Sequence, residues 1–582
     1  MILRPEHPKP QFRRDAWMNL NGSWGFEIDN ARSGEARGLH CVDACLAGTI
    51  QVPFCPESEL SGVAHKDFML GVWYQKKVTL TGAQCAGRVA LHFGAVDYEC
   101  DVFVNGALAG SHKGGFVSFC LDITAHVHSG ENVITVFARD DVRDTRIPRG
   151  KQCVEYASKG CYYTRTTGIW QTVWLEFTPK NYIKSAHFHT DPAQGILTVQ
   201  ASVAGRADFS IQAYYAGKPV GSAFTKAAAG EFTLSLTLDE IHLWQLGEGK
   251  LYDLQLSFGE DRVSSYFGLR SICMENGKFY LNGKPVFQRL VLDQGFYPQG
   301  VYTAPSDEDL AKDIDLAMDM GFNGARAHEK IFEERWLYHA DRKGYLVWAE
   351  YPSWGLDHSK PDAIYSILPE WLEEIARDRN HPSIIGWCPF NETWNKFNHA
   401  QYDDLIRQIY RITKAVDPSR PCIDTSGFFH VETDIYDVHD YEQDPQEFKR
   451  RYDMLVTEGK LYEVFDPPQS YRGCYEFRQS YGGQPVFVSE YGGIRWAAGE
   501  NDEHKSWGYG KDVRDAEEFK SRFQGLTDVL LDNSRMFGFC YTQLTDIEQE
   551  QNGLYTYDRI PKFDTAWVRG VVARKAAMET EF

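Results

Sequence analysis

The feature that most limits how this chain can fold is a change of hydrophobic period near residue 271. Before it, short apolar–polar alternations dominate. After it, short apolar runs alternate with stretches carrying a helical stripe, which is the pattern of a parallel α/β arrangement. Apolar runs at 286–291, 323–326, 345–349, 384–388, 421–425, 435–439, 486–489 and 536–541 supply eight strands, enough to close a parallel barrel. Ser306, with Asp309 three residues on, caps a helix whose apolar stripe is Leu310, Ile314, Ala317 and Met318 and which ends at Gly321. A last helix is expected over 565–578, with 443–484 and 496–516 as loops over the site. A parallel barrel carries its chemistry at the carboxyl ends of its strands. Two glutamates occupy such ends, Glu392 after the run at 384–388 and Glu490 after the run at 486–489, and paired carboxylates suggest glycoside cleavage.

Ahead of the change, residues 1–179 read as a β-sandwich of antiparallel strands such as Trp73-Tyr74-Gln75-Lys76-Lys77-Val78-Thr79-Leu80. Asn105-Gly106 is a hairpin signal, because both central residues of a type I′ turn need positive φ. Residues 180–270, with clean alternation over 197–203 and 232–238, suit an immunoglobulin-like sandwich. At 582 residues several cores are expected, and 14% aromatic residues leave rings for stacking on a ligand.

A formal charge of −20 argues against nucleic acid or anionic lipid as a partner. The start has no apolar h-region and no run is long enough to span a membrane, so the expectation is a cytoplasmic protein. The 13 cysteines are scattered without zinc-like spacing and read as reduced, mostly buried thiols, Cys388 and Cys540 included.

Several motifs, in order, resemble glycoside hydrolase family 2, the family of β-galactosidases, β-glucuronidases and β-mannosidases. They are Leu20-Asn21-Gly22-Ser23-Trp24, Val72-Trp73-Tyr74, Tyr163-Thr164-Arg165-Thr166-Thr167-Gly168-Ile169-Trp170 and Asn282-Gly283-Lys284-Pro285-Val286. The series continues through Arg377-Asp378-Arg379-Asn380-His381-Pro382-Ser383 and Asn391-Glu392 to Ser489-Glu490-Tyr491-Gly492. The resemblance spans the chain and implies a jelly-roll sugar-binding-like sandwich (1–179), an immunoglobulin-like sandwich (180–270) and a catalytic TIM barrel (271–582). It further implies a retaining mechanism with Glu392 as acid/base and Glu490 as nucleophile, Asn391 on the sugar 2-hydroxyl, and Arg326 and Tyr441 supporting the nucleophile. Trp354 and Tyr541 are candidates for stacking on the sugar's apolar face.

Departures from the better-known members concern the sugar. Leu292-Asp293-Gln294 stands where many relatives carry Arg-His-Glu, and Arg326-Ala327-His328-Glu329-Lys330 replaces Arg-x-Ser-His-Tyr. Glu550-Gln551-Asn552-Gly553 occupies the place of the Asn-x-Lys with which β-glucuronidases grip a carboxylate. One reading makes Lys330 and Arg335 a relocated clamp for a uronic acid such as galacturonate. Another has Asp293 or Glu350 accept hydroxyl hydrogen bonds from a neutral galactose-type sugar, and in either case the expected substrate is a terminal, galacto-configured sugar. An α-L-arabinofuranoside, a β-mannoside, or binding without catalysis are the alternatives. Hydrolysis by two carboxylates needs neither cofactor nor metal. Some relatives bind magnesium or sodium beside the acid, where Glu350 is a possible oxygen ligand. The family often uses its sandwich surface for a subunit contact, so a homo-oligomer is an expectation.

Overall fold

In the computed structural model, residues 3–393, 401–427, 429–462, 479–497 and 506–579 are described. The first domain is two facing antiparallel sheets. One has six strands, in the spatial order Gly48–Val52, Gly22–Ile28, Val72–Leu80, Gly130–Arg139, Glu99–Val104, Ala107–Lys113. The other has four, in the order Trp17–Asn19, Val173–Thr178, Arg88–Phe93, Phe119–Asp122. Alternate residues of both sheets meet between them: Trp24, Ile50, Val72, Tyr74, Val89, Leu91, Val102 and Val136 are all buried in one cluster. Asn105 (φ 52°) and Gly106 (φ 81°) make the expected tight turn.

The second domain is built on two unusually long strands, Ile196–Tyr215 and Lys218–Thr237, paired along their length. Their register shifts between Ser202 and Arg206 and again between Ala207 and Phe209. Such bulges bend a strand, so the first half of Ile196–Tyr215 pairs with Tyr182–Asp191 and its second half with Leu251–Phe258.

From Gln288 the chain forms a curled parallel sheet. Its strands are the first (Gln288–Asp293), second (Gly324–Ala327), third (Leu346–Glu350), fourth (Ile384–Cys388), sixth (Tyr436–Asp440), seventh (Val486–Gly492) and eighth (Met536–Thr542), with first and eighth paired. The fifth run, expected at 421–425, is reduced to isolated parallel bridges from Trp387 to Cys422 and from Asn391 to Ser426. Side chains replace the rest of its ladder: Ser426 Oγ donates to Asp437 Oδ2 on the sixth strand at 2.6 Å. Ser306 caps the helix Asp307–Asp319 as expected, its hydroxyl accepting from Asp309 N–H.

Two expectations need correction. The stretch 443–484 is not all loop, because Pro445–Thr457 is a helix whose cap Asp444 accepts from Gln446 and Glu447 N–H, with Pro445 in the first turn. The last helix is shorter, Thr565–Val572, with a separate 3-10 turn at Ala577–Glu579.

The domains are bolted together by buried polar groups. Asp341 accepts from Tyr266 of the second domain (2.8 Å) and from Ser383 N–H (2.9 Å), and pairs with His381 (2.6 Å). Arg270 donates to the carbonyls of Pro382 and Ile384, both at 2.8 Å. The Asn380-His381-Pro382-Ser383 stretch therefore works as an interdomain fastening that sets the fourth strand. On the other side, Glu370 accepts from Phe116 N–H at 2.7 Å, tying the jelly roll to the barrel.

Candidate active site

Glu392 leaves the end of the fourth strand in the left-handed region, φ 48°, a conformation that non-glycine residues adopt mainly where surroundings impose it. Here the imposition is visible: Glu392 N–H donates to Ser426 O at 2.9 Å, and Asn391 N–H to Ser353 Oγ at 3.1 Å. Glu490 lies in the seventh strand beside register shifts at Val438/His439 and Val488/Tyr491, irregularities that re-aim side chains. As a result one carboxylate oxygen of Glu392, one of Glu490 and a ring nitrogen of His439 all fall within 4.8 Å of one another.

Cationic groups hold this cluster. Arg326, on the second strand, is almost wholly buried. Its guanidinium bonds Glu490 Oε1 (3.1 Å), Ser489 O (2.7 Å), Asn391 Oδ1 (3.2 Å) and, by a short contact, Glu350 Oε1. The second oxygen of Glu490 accepts a short hydrogen bond from Tyr441, whose ring stacks on Tyr509 at 3.4 Å. His439 sets Nδ1 2.8 Å from Glu392 Oε1 and Nε2 3.5 Å from Glu490 Oε1. Burial alone would lower the His439 pKa, but Glu490 and Glu392 outweigh it and hold the imidazole above its ordinary value. Burial raises Glu350 against the pull of Arg326. A carboxylate pair this close, with one member braced by Arg326 and Tyr441, can deliver a proton on one side of a bond and a nucleophile on the other.

The sequence matches the model of glycosyl hydrolases family 2, TIM barrel domain, over residues 272–574, more than half of the chain. The chain belongs to glycoside hydrolase family 2. The family's sugar binding domain matches 17–175, and a further family 2 domain matches 181–270. A β-glucuronidase of Streptococcus agalactiae is 24% identical over 94% of each chain. A β-galactosidase of Thermoanaerobacter pseudethanolicus is 28% identical over 61% of this chain and 49% of its own. In fold, a β-glucuronidase from Ruminococcus gnavus in complex with D-glucuronic acid superposes with a TM-score of 0.77, at 19% identity over 97% of this chain and 99% of that one. This family 2 member is accordingly a glycoside hydrolase, and the reading as a non-catalytic binder falls away. Among its described residues no helix is long and apolar enough to cross a membrane.

The other family 2 site expectations fare unevenly. Asn391, Arg326 and Tyr441 gather at the carboxylates as described above. Lys330 does not: its ammonium donates to the carbonyls of Gly295 (2.5 Å) and Tyr302 (2.8 Å), ringed by Trp170, Tyr302 and Phe332. Burial pushes its pKa down to about 7, so it is a structural amine. Arg335 sits on the helix Glu334–Lys343 and pairs with Asp307 at the start of the preceding helix, outside the strand ring. No clamp forms from the two. Tyr541 is fully buried among Tyr491 and Phe523, facing the barrel wall rather than a sugar. Trp354 is at the site, its indole N–H donating to Asn391 O at 3.0 Å, but the Lys151 ammonium lies 3.6 Å above its ring. Asp293 accepts from Gly295 N–H at 2.9 Å, and burial lifts it to about 7 among Asp313, Arg559 and Lys330. Glu350 has both oxygens engaged, by Arg326 and by His328 Nδ1 at 2.9 Å. Among the described residues the Glu392–His439–Glu490 trio is the group whose ligand atoms cluster most like a metal site, with the Arg326 guanidinium 3.1 Å from Glu490.

Residues missed by sequence reasoning come from two sources. His439 lay in the His439-Asp440-Tyr441 string, read only for its tyrosine. Lys151, Tyr162 and Tyr163 come from the jelly-roll domain. Tyr163 makes a short hydrogen bond to Glu550 and accepts from Gln294 at 2.9 Å, while Asn552 donates to Glu550 at 2.9 Å. Burial raises Glu550 to about 7. Burial also pushes the Cys388 and Cys540 thiols well up, which suits core packing rather than nucleophilic work.

Proposed function

We propose that this chain is a retaining exo-β-glycosidase that removes a terminal β-D-hexuronic acid, with β-glucuronide as the leading substrate. The observation that carries the reaction type is the approach of a Glu392 and a Glu490 oxygen to within 4.8 Å, which suits a retaining pair, where about 5 Å separates the carboxyls, and not an inverting one. In the first step Glu490 forms a bond to the anomeric carbon as the glycosidic C–O bond breaks, and the departing oxygen takes the proton of Glu392. In the second, Glu392 takes a proton from water, the water oxygen bonds the anomeric carbon, and Glu490 leaves. Arg326 and Tyr441 each hydrogen-bond an oxygen of Glu490 and so orient it for attack. The β-glucuronidase names among the relatives favour a uronide. A second reading, a neutral galacto-configured sugar, is favoured by the β-galactosidase relative and by Glu550, a hydroxyl acceptor, in the last barrel loop.

Hydrolysis of nitrophenyl β-glucuronide, β-galacturonide, β-galactoside, β-mannoside and α-L-arabinofuranoside by the wild type and by Glu490→Gln tests both. Turnover of one β-pyranoside, lost by a factor of about 10⁴ or more in the variant, is expected. Undiminished activity in Glu490→Gln sinks the mechanism.

A further inference from the structure

Among the described residues, the cationic candidates for meeting a sugar carboxylate are committed to other partners, with one exception. Arg326 is shared among Glu350, Glu490 and Asn391, Lys330 is held by backbone carbonyls, Arg335 by Asp307, and Lys562 by Asp546 at 2.6 Å. Lys151 remains. It belongs to the jelly-roll domain, and the chain carries it into the barrel mouth by a close backbone approach. Arg149 N–H donates to Trp354 O at 2.7 Å, and Gly150 N–H to the same oxygen at 3.1 Å. Gly150 is left-handed (φ 58°), and a Cβ there would collide with the Glu329 carbonyl. Tyr163 N–H then fastens Lys151 O at 2.8 Å.

The Lys151 side chain is 6% exposed and lies over the Trp354 ring. Among the described residues its ammonium makes no hydrogen bond and no ion pair, so its three donors are unused. Burial would strip its proton, but Cys161, Glu490, Glu392 and Glu550 outweigh this and keep it charged. A compact, strongly hydrated ammonium is poorly served by an aromatic face alone. The site offers the complementary problem as well. A uronic acid brings a second negative charge beside Glu490, which a low-dielectric pocket penalises unless a cation meets it. A neutral sugar has no such need.

We propose that Lys151 determines specificity: its ammonium receives the carboxylate of a terminal hexuronic acid, so the jelly-roll domain, not the barrel, selects the substrate. This rests on the glycosidase reading above. The selecting cation has moved from one domain to another, and the loop 149–163 forms part of the pocket.

The test compares kcat/KM for nitrophenyl β-glucuronide and β-galacturonide with the matching glucoside and galactoside, in full-length wild type, Lys151→Met and Lys151→Arg. The wild type is expected to prefer one uronide to its neutral counterpart. The uronide-to-neutral ratio should fall about 100-fold in Lys151→Met and stay within about tenfold in Lys151→Arg. A ratio within about threefold of wild type in Lys151→Met, or a wild type that prefers the neutral sugar, overturns the proposal, whereas a purely electrostatic effect on the carboxylates would lower both substrates together. Calorimetric binding of free glucuronate and galacturonate to Glu490→Gln, with and without Lys151→Met, gives an arm free of turnover. Loss of uronate binding with Lys151→Met supports the proposal, and retained binding overturns it. Absent turnover of all four glycosides, or turnover undiminished in Glu490→Gln, counts against the glycosidase reading instead, and binding then decides Lys151 alone.

Discussion

His439 is joined to Glu392: its Nδ1 lies 2.8 Å from Glu392 Oε1. The other ring nitrogen faces Ser426 Oγ at 2.9 Å and Glu490 Oε1 at 3.5 Å. One imidazole therefore lies against both carboxylates, and their negative charge raises its pKa against the effect of burial.

His439 should then set an alkaline limit. Its folded pKa is raised, so the charged form persists above about 6.5 and is lost as pH rises through the higher value. The expected kcat/KM profile of the wild type declines on that side. In His439→Asn, kcat/KM falls about 100-fold and the decline moves to a different pH. A limb that stays in place in the variant assigns it to another group.

In the proposed mechanism, Glu392→Ala removes the proton donor and leaves Glu490 in place. Good leaving groups should still be displaced, and poor ones hardly at all, giving a steep dependence on leaving-group pKa. Azide needs no general base, so it is expected to restore turnover and to yield a glycosyl azide of retained configuration. Product analysis by NMR checks the configuration, and an inverted azide would contradict the double displacement.

Arg326 meets four groups from three strands or strand ends, all out of water. Arg326→Met leaves Glu350 and Glu490 without their cation, and breaking a buried pair costs about 3–5 kcal/mol. The expected result is a Tm lowered by several degrees together with loss of turnover, measured by thermal unfolding and initial rates. Arg326→Lys should recover part of the stability and little of the activity, because one ammonium cannot span those partners.

Stability should also fall on the alkaline side through His430. It is fully buried between Asp424 (2.7 Å) and Asp437 (3.2 Å). Burial lowers its pKa, but the two aspartates more than reverse this and raise it to about 10. A raised folded pKa contributes stability that is complete below the unfolded value of about 6.5 and is lost as pH climbs towards 10. Unfolding free energies from urea titrations at pH 6, 8 and 10 are expected to decline in steps of order 1 kcal/mol. In His430→Gln the decline over that window should flatten.

Much of the architecture was legible in local pattern because its causes are local. Ser306 caps its helix, Asn105-Gly106 turns its hairpin, and period-2 and period-3.6 stretches mark sandwich and barrel. Asp444-Pro445 carried an equally local helix start that was passed over. The fifth strand is shorter than its apolar run suggests, since apolar residues alone do not show that Ser426 and Asp437 will take over from backbone pairing.

By itself the sequence determined the two glutamates, for each stands at the end of an apolar run inside a motif, and a barrel strand end is a fixed address. Which cation faces a substrate was not determined that way. Lys330 and Arg335 are near Arg326 in sequence, yet one turns to the Gly295 and Tyr302 carbonyls and the other sits on an outer helix with Asp307. Lys151, far away in sequence, is carried to the barrel mouth by Gly150 against Trp354. Side-chain reach is only a few ångströms, so what a charge can touch depends on where distant backbone is brought, and only the packing of the jelly roll on the barrel decides that.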